Sequence, residues 1–184
     1  YGYAVSAATK IFIPGTRGDS IGFNFVWSEG AVGYASKGNV WSLLNAGSSM
    51  GLGWAVDGVF DTGTSIELTR AWSINGAYER IWDPKWRTSI YGGYTVINYN
   101  DNATRIINSH LPGAAGTMPC GVAVAGAVFP PINIGVGTAN SCNPDFSYWQ
   151  VGTRTQYSPV PYLNLGVDVA YTRLNTAYKG EVTG

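Results

Sequence analysis

The sequence predicts an all-β protein made of long antiparallel strands, of the kind that close into a transmembrane β-barrel. Three observations carry this. Apolar and aromatic residues alternate strictly with Gly, Ala, Ser and Asn over extended runs. Each run has about the length a tilted strand needs to cross a bilayer, roughly 9 to 11 residues. Short turns join some runs and long segments join others, the pattern of outer-membrane barrels, whose turns collect at one end and loops at the other.

The first strand covers Tyr1 to Ile13, where Tyr1, Tyr3, Val5, Ala7, Thr9, Ile11 and Ile13 oppose Gly2, Ala4, Ser6, Ala8 and Lys10. Pro14-Gly-Thr-Arg-Gly-Asp19 follows as a tight turn, built from residues that fix φ or permit positive φ. The second strand, 20–28, sets Ile21, Phe23, Phe25 and Trp27 against Gly22, Asn24 and Ser28. A third runs over 66–81, with Trp72, Ile74, Gly76 and Tyr78 opposing Ser73, Asn75, Ala77 and Glu79. After the short turn Asp83–Lys85, the run from Trp86 to Tyr99 sets Ile90, Tyr94 and Val96 against Arg87, Ser89, Tyr91 and Thr95.

The last two runs repeat the scheme. In Tyr148 to Tyr157, Trp149, Val151, Thr153 and Tyr157 oppose Gln150, Gly152, Arg154 and Gln156. Ser158–Pro161 turns the chain. In Leu163 to Tyr171, Leu163, Leu165, Val167, Val169 and Tyr171 oppose Asn164, Gly166 and Asp168. Long connections occupy 29–66, 100–146 and everything after Thr176. If the three short turns share one end, an even number of strands must separate neighbouring turns. The weaker candidate 52–60 would make that number odd between Asp19 and Asp83, so it belongs to the long loop, as part of a small hairpin.

Composition narrows the environment. Charged residues make up 12% of the chain, about half the usual share of a globular domain, yet no stretch reads as a spanning helix. The best apolar segment in the long charge-free region, Val122 to Phe129, is bracketed by Pro119, Pro130 and Pro131 and is far short of the roughly 20 residues required. A bilayer protein without spanning helices must be a closed barrel, because only closure satisfies its backbone in lipid. Trp27, Trp82, Trp86, Trp149, Tyr99 and Tyr157 fall near strand ends, where aromatic girdles sit.

The soluble alternative is a carbohydrate-binding β-sandwich, with Trp41 or Trp54 as an aromatic platform. A sandwich would carry many charges on its solvent face. Here that face is mostly Gly, Ala, Ser and Asn, on strands longer than the usual 5–6 residues.

Eleven basic residues balance eleven acidic ones, which argues against a nucleic-acid partner. Cys120 and Cys142 are too few for a disulfide framework and lack metal-site spacing. One loop-clamping disulfide between them fits an oxidising compartment. The sole histidine, His110, follows Ser109, and adjacent residues on an extended chain point apart, so they are no catalytic pair. Gly116, Gly121, Gly126, Gly135 and Gly137 are scattered loop glycines rather than a phosphate cradle. No catalytic residue, metal site or cofactor is expected. A barrel enzyme would want a polar catalytic cluster, and none is visible.

Several long runs carry a resemblance. Ala71-Trp-Ser-Ile-Asn-Gly-Ala-Tyr-Glu-Arg-Ile-Trp82 and Arg87-Thr-Ser-Ile-Tyr-Gly-Gly-Tyr94 look like paired strands of the alphaproteobacterial (rhizobial and Brucella type) general porins. Gly30-Ala-Val-Gly-Tyr34, Trp149-Gln-Val-Gly-Thr-Arg-Thr-Gln156 with Pro159, and Leu165-Gly-Val-Asp-Val-Ala-Tyr-Thr-Arg-Leu-Asn-Thr-Ala-Tyr178 are similar to the same family. The resemblance implies a sixteen-stranded barrel, a homotrimer embedded in the lipid of a Gram-negative outer membrane. Such a barrel passes small hydrophilic solutes and ions by diffusion; a sugar-selective channel is its nearest variant. The chain opens inside a strand, Tyr1 to Val5, and ends in Gly180-Glu-Val-Thr-Gly184 without a closing aromatic strand. It is therefore expected to be a C-terminal piece of such a protein, a single incomplete barrel domain over 1–184 with about six strands.

If the apolar face meets lipid, the other face lines the channel. That assigns Lys10, Asn24, Glu79, Arg87, Gln150, Arg154, Gln156, Asn164 and Asp168 to the pore wall. Charges of both signs there would filter solutes by charge and size, with Arg87, Arg154 and Asp168 the leading candidates. The plainer role is to solubilise the wall or pair across strands.

Overall fold

The computed structural model describes residues 1–36, 42–45, 50–53, 55–110, 132–134, 143–176 and 179–182. In chain order the elements are β1 (Tyr3–Phe12), β2 (Ser20–Glu29), a 3-10 turn (Val32–Tyr34), β3 (Ser42–Asn45), β4 (Met50–Gly53), β5 (Gly58–Val59) and β6 (Glu67–Leu68). They continue with β7 (Arg70–Ile81), β8 (Trp86–Asn98), α1 (Asp101–His110), β9 (Ile132–Ile134), β10 (Phe146–Val160), β11 (Leu163–Thr176) and β12 (Lys179–Val182). The six long strands form one sheet in the order β1-β2-β7-β8-β10-β11, antiparallel throughout. The sheet is open, with β1 and β11 at its edges. β3, β4, β12 and β9 form a small second sheet, and β5 pairs with β6.

The register carries the alternation across all six strands, up to a bulge between Tyr157 and Val160 at the turn end of β10. Thr9, Phe23, Gly76, Gly92, Val151 and Tyr171 form one cross-strand row, and Ala8, Asn24, Asn75, Gly93, Gln150 and Thr172 form the next. A slip by one residue at any ladder would have mixed the two sets. One face is bare: Val5, Phe23, Phe25, Ile74, Ile90, Val151, Leu165, Val167 and Val169 are all exposed on it. The other face is partly covered by the connections.

At the short-turn end, hydrogen bonds tie the three turns into a rim. Gly15 and Gly18 take positive φ, which lets the chain reverse within a few residues. Asp19, buried, accepts from the Ile81 backbone N–H at 2.8 Å and from the Tyr78 hydroxyl at 3.1 Å. Arg17 donates to the Trp82 carbonyl. Asp83 caps its own turn by accepting from the Lys85 and Trp86 N–H groups, and the Ser158 N–H reaches the Lys85 carbonyl at 2.8 Å.

At the opposite end, the covered face carries a core. Ala71, Ile97 and Phe146 share one row, and Val26 and Leu174 lie one row lower. They pack beneath Val32 and Ala35 of the 3-10 turn, Ala55, Tyr99, and Ala103 and Ile107 of α1. The helix forms where Asn100 caps it, its carboxamide oxygen accepting from the Ala103 N–H at 2.8 Å. Ala103, Ile106 and Ile107 recur at helical spacing and are buried. Asp145 staples the helix entry to β10 through the Tyr99 N–H at 2.7 Å and the Asn98 carboxamide at 3.2 Å.

Several sequence expectations need correction. The stretch 66–81 is two strands, β6 and β7. The segment 100–146 begins with a helix, because Asn100 supplies a cap and the small helix packs an apolar stripe. Ser109 and His110 therefore sit in a helical turn rather than on extended chain. The last two long strands run beyond the expected bounds, to Val160 and Thr176. Residues 52–60 stay outside the six-stranded sheet, where β4 pairs with β3 and β5 with β6. Cys120 and Cys142, and Trp41 and Trp54, lie outside the described residues.

Candidate functional site

The nine residues expected on one face do share it. Lys10, Asn24, Glu79, Arg87, Gln150, Arg154, Gln156 and Asp168 fall on the covered side by register, and Asn164 by parity. All are exposed or half-buried. The strongest charges gather toward the turn end. Glu79, Ser89, Arg154 and Asp168 occupy a single row over four strands, and Arg87 pairs with Gln156 one row lower. Two arginines on the central strands are thus flanked by two acids on the outer ones.

Arg154 and Asp168 stand directly opposite one another, yet the only ion pair among the described residues is Arg70–Glu29 at 3.2 Å, on the bare side of the sheet at the loop end. The Asp168 carboxylate is engaged instead by Tyr91, whose hydroxyl donates at 2.5 Å from two strands away. Tyr91 crosses the intervening strand at Gly152. A Cβ there would lie 2.5 Å from the ring, so any other residue would push the ring off its path. A hydrogen bond to a charged acceptor is among the stronger kinds, and it fixes where this carboxylate points.

Midway up the same face lies a groove of about 650 Å³, without a charged residue in its lining. Asn24, Asn75 and Gln150 meet there along one row, and Tyr34, Tyr91 and Tyr148 border it. The Asn75 carboxamide reaches over Gly93, whose added Cβ would come within 2.2 Å of its oxygen. Sequence reasoning passed over Asn75, Tyr91 and Tyr148 as site residues. Their parity placed the first two on this face, but the glycines that give Asn75 and Tyr91 room lie on neighbouring strands and need the register to be seen.

The bare face is organised by aromatic pairs at two levels. Tyr3 packs on Trp27, Trp72 on Tyr94 and Trp149 on Tyr171, with ring centroids 5.4, 5.7 and 5.4 Å apart, toward the loop end. Trp86 stacks on Tyr157 at 4.4 Å at the turn end. Between the levels the bare face of the six strands carries a single charged residue, Arg80, one row inside the Trp86–Tyr157 pair, with its guanidinium over the Trp82 ring at 4.3 Å. Its other charges sit at the loop end: Glu29, which accepts from Arg70 and from the Tyr3 hydroxyl, and Arg173 opposite Trp149. From Tyr94 to Trp86, or Trp149 to Tyr157, is eight residue steps. At about 3.3 Å per residue that is ~26 Å along the strand, or roughly 20 Å of height once tilted as barrel strands are.

A family model described as a porin subfamily matches residues 1–184. No curated protein and no solved structure matches.

Proposed function

Because the chain belongs to the porin subfamily, we propose that its six-stranded sheet is part of the wall of a water-filled outer-membrane channel through which small hydrophilic solutes and ions diffuse. The observation that carries this reading is the contrast between the two faces. The bare face is an apolar band held between two aromatic levels, its one charge, Arg80, lying over the Trp82 ring at the turn-end border, as lipid contact requires. The covered face holds the polar and charged residues, as a wetted lumen requires.

On this reading Lys10, Asn24, Glu79, Arg87, Gln150, Arg154, Gln156, Asn164 and Asp168 line the pore. Arg87 and Arg154 between Glu79 and Asp168 produce a field across the lumen that selects by charge. The short-turn rim is periplasmic and the loop end extracellular. Free edges at β1 and β11 are untenable in hydrocarbon, where every backbone group needs a partner, so further strands complete the barrel. The runs similar to general porins support a trimer of such barrels. A disulfide between Cys120 and Cys142 would restrain the long loop on the oxidising side of the membrane.

Planar-bilayer recording of the full-length protein tests this. Stepwise, ohmic increments grouped in threes are expected. A protein that stays in buffer without detergent and never conducts would contradict the proposal and favour a soluble β-sheet binding protein.

A further inference from the structure

We propose that the neutral groove on the covered face is a subsite for an uncharged polyhydroxylated solute, a small saccharide, on the way through the channel. The inference rests on the channel reading above and names a solute class that binds within it.

The groove differs in chemistry from the wall beneath it. Below lie Glu79, Arg87, Arg154 and Asp168; within it the lining is free of charge. Three carboxamides, Asn24, Asn75 and Gln150, follow one another along a row from β2 to β10. Those strands span three inter-strand steps, about 14 Å at ~4.8 Å each, enough to track a one- or two-ring sugar. A carboxamide offers both donor and acceptor, which suits a hydroxyl group that does the same. A charged solute gains little from such a row, because nothing in it compensates the cost of removing an ion's water.

The aromatic residues complete the fit. Tyr91 lies one row toward the turns, pinned by Asp168. Tyr148 lies one row toward the loops, its hydroxyl donating to Ser36 at 3.4 Å. Tyr34, largely exposed, overhangs from the 3-10 turn. Apolar ring surface beside fixed polar groups is the usual make-up of a small-ligand cleft, and the volume falls within the usual range of roughly 300–1,000 Å³. The site is open on its lumen side, which keeps binding weak enough for release and onward passage. Gly93 is part of the device, since it alone lets the Asn75 carboxamide lie across the strand.

The test is ion current through the full-length protein in planar bilayers with maltose as the probe. Poly(ethylene glycol) of matching size serves as a control, since it has almost no hydroxyl donors. Maltose should reduce the current saturably in the millimolar range, and the polymer only in proportion to bulk conductivity. Asn75→Ala should raise the half-blocking concentration about fivefold, the effect of one neutral hydrogen bond. Gly93→Ala should do the same by displacing the carboxamide without removing it, each variant being scaled to its own open current. Ile90→Val, on the bare face, should leave the half-blocking concentration where it is. Equal effects of maltose and polymer, or block indifferent to both Asn75→Ala and Gly93→Ala, would overturn the subsite while leaving the channel in place. A protein that carries no current would overturn the channel reading and this inference with it.

Discussion

The covered face is two surfaces in one, and the bare face is not. Toward the loops its rows hold Val26, Ala71, Ile97, Phe146 and Leu174, buried under α1 and the 3-10 turn. Toward the turns the same parity presents Glu79, Arg87, Arg154 and Asp168 to open space. The bare face is mainly apolar from one aromatic level to the other, with Arg80, Thr88 and Thr155 in the row next to the turn-end level. The difference teaches that a residue's side of the sheet is set by alternation, whereas its surroundings are set by what the connections lay over it. A membrane wall needs one uniform solvent on its outer side; its inner side is free to be core at one height and wetted wall at another.

Substitutions should separate these three environments. The largest effect is expected where the covered face is core: Ile97→Ala, at a fully buried side chain, should cost about 2–5 kcal/mol through lost contacts and an unfilled cavity. Ile90→Ala on the bare face should cost clearly less if that face meets lipid, because lipid closes over the gap. Urea unfolding of the reconstituted protein compares the two, and equal losses would erase the distinction between core and lipid contact. Next comes Val169→Arg, midway between the two aromatic levels, at about 2–4 kcal/mol. The matching change one residue earlier, Asp168→Arg, should leave membrane insertion intact while shifting ion selectivity toward anions in reversal-potential measurements.

At the turn end, Asp19→Ala removes the acceptor for the Ile81 N–H and the Tyr78 hydroxyl. A loss of about 1–3 kcal/mol is expected, seen as earlier unfolding in urea with the same selectivity. The smallest effect on stability belongs to Tyr91→Phe, since the bond from the Tyr91 hydroxyl to Asp168 is exposed. That change frees the Asp168 carboxylate from its tether and, on the channel reading, should raise the preference for cations. Unchanged reversal potential in Tyr91→Phe would show that the hydrogen bond has no hold on the charge.

Much of this was legible in the residues. Period-two alternation marked all six strands and their faces, because a sheet with one apolar and one polar face leaves little freedom in which residue goes where. The turns were legible too, since Pro14, Gly15, Gly18 and Asp83 are confined by their own backbone chemistry. What escaped depended on distant partners. The helix at Asp101–His110 lies in a polar stretch whose few apolar residues make sense only against Ile97 and Phe146. Tyr91 drew no attention as a site residue because its role needs Gly152 beneath it and Asp168 beyond, a relation created by register. The burial of Val26 and Leu174 on the polar side was hidden for the same reason: alternation reports a face and says nothing of what folds over it.

The central claim is that the face carrying Leu165, Val167 and Val169 meets lipid and the face carrying Gly166, Asp168 and Ala170 meets water. Single cysteines at these six positions of the full-length protein in liposomes, with Cys120 and Cys142 replaced by serine, test it directly. The account predicts that a charged water-soluble thiol reagent labels Gly166→Cys, Asp168→Cys and Ala170→Cys and spares Leu165→Cys, Val167→Cys and Val169→Cys. Uniform labelling along β11, or labelling with the opposite alternation, would contradict it.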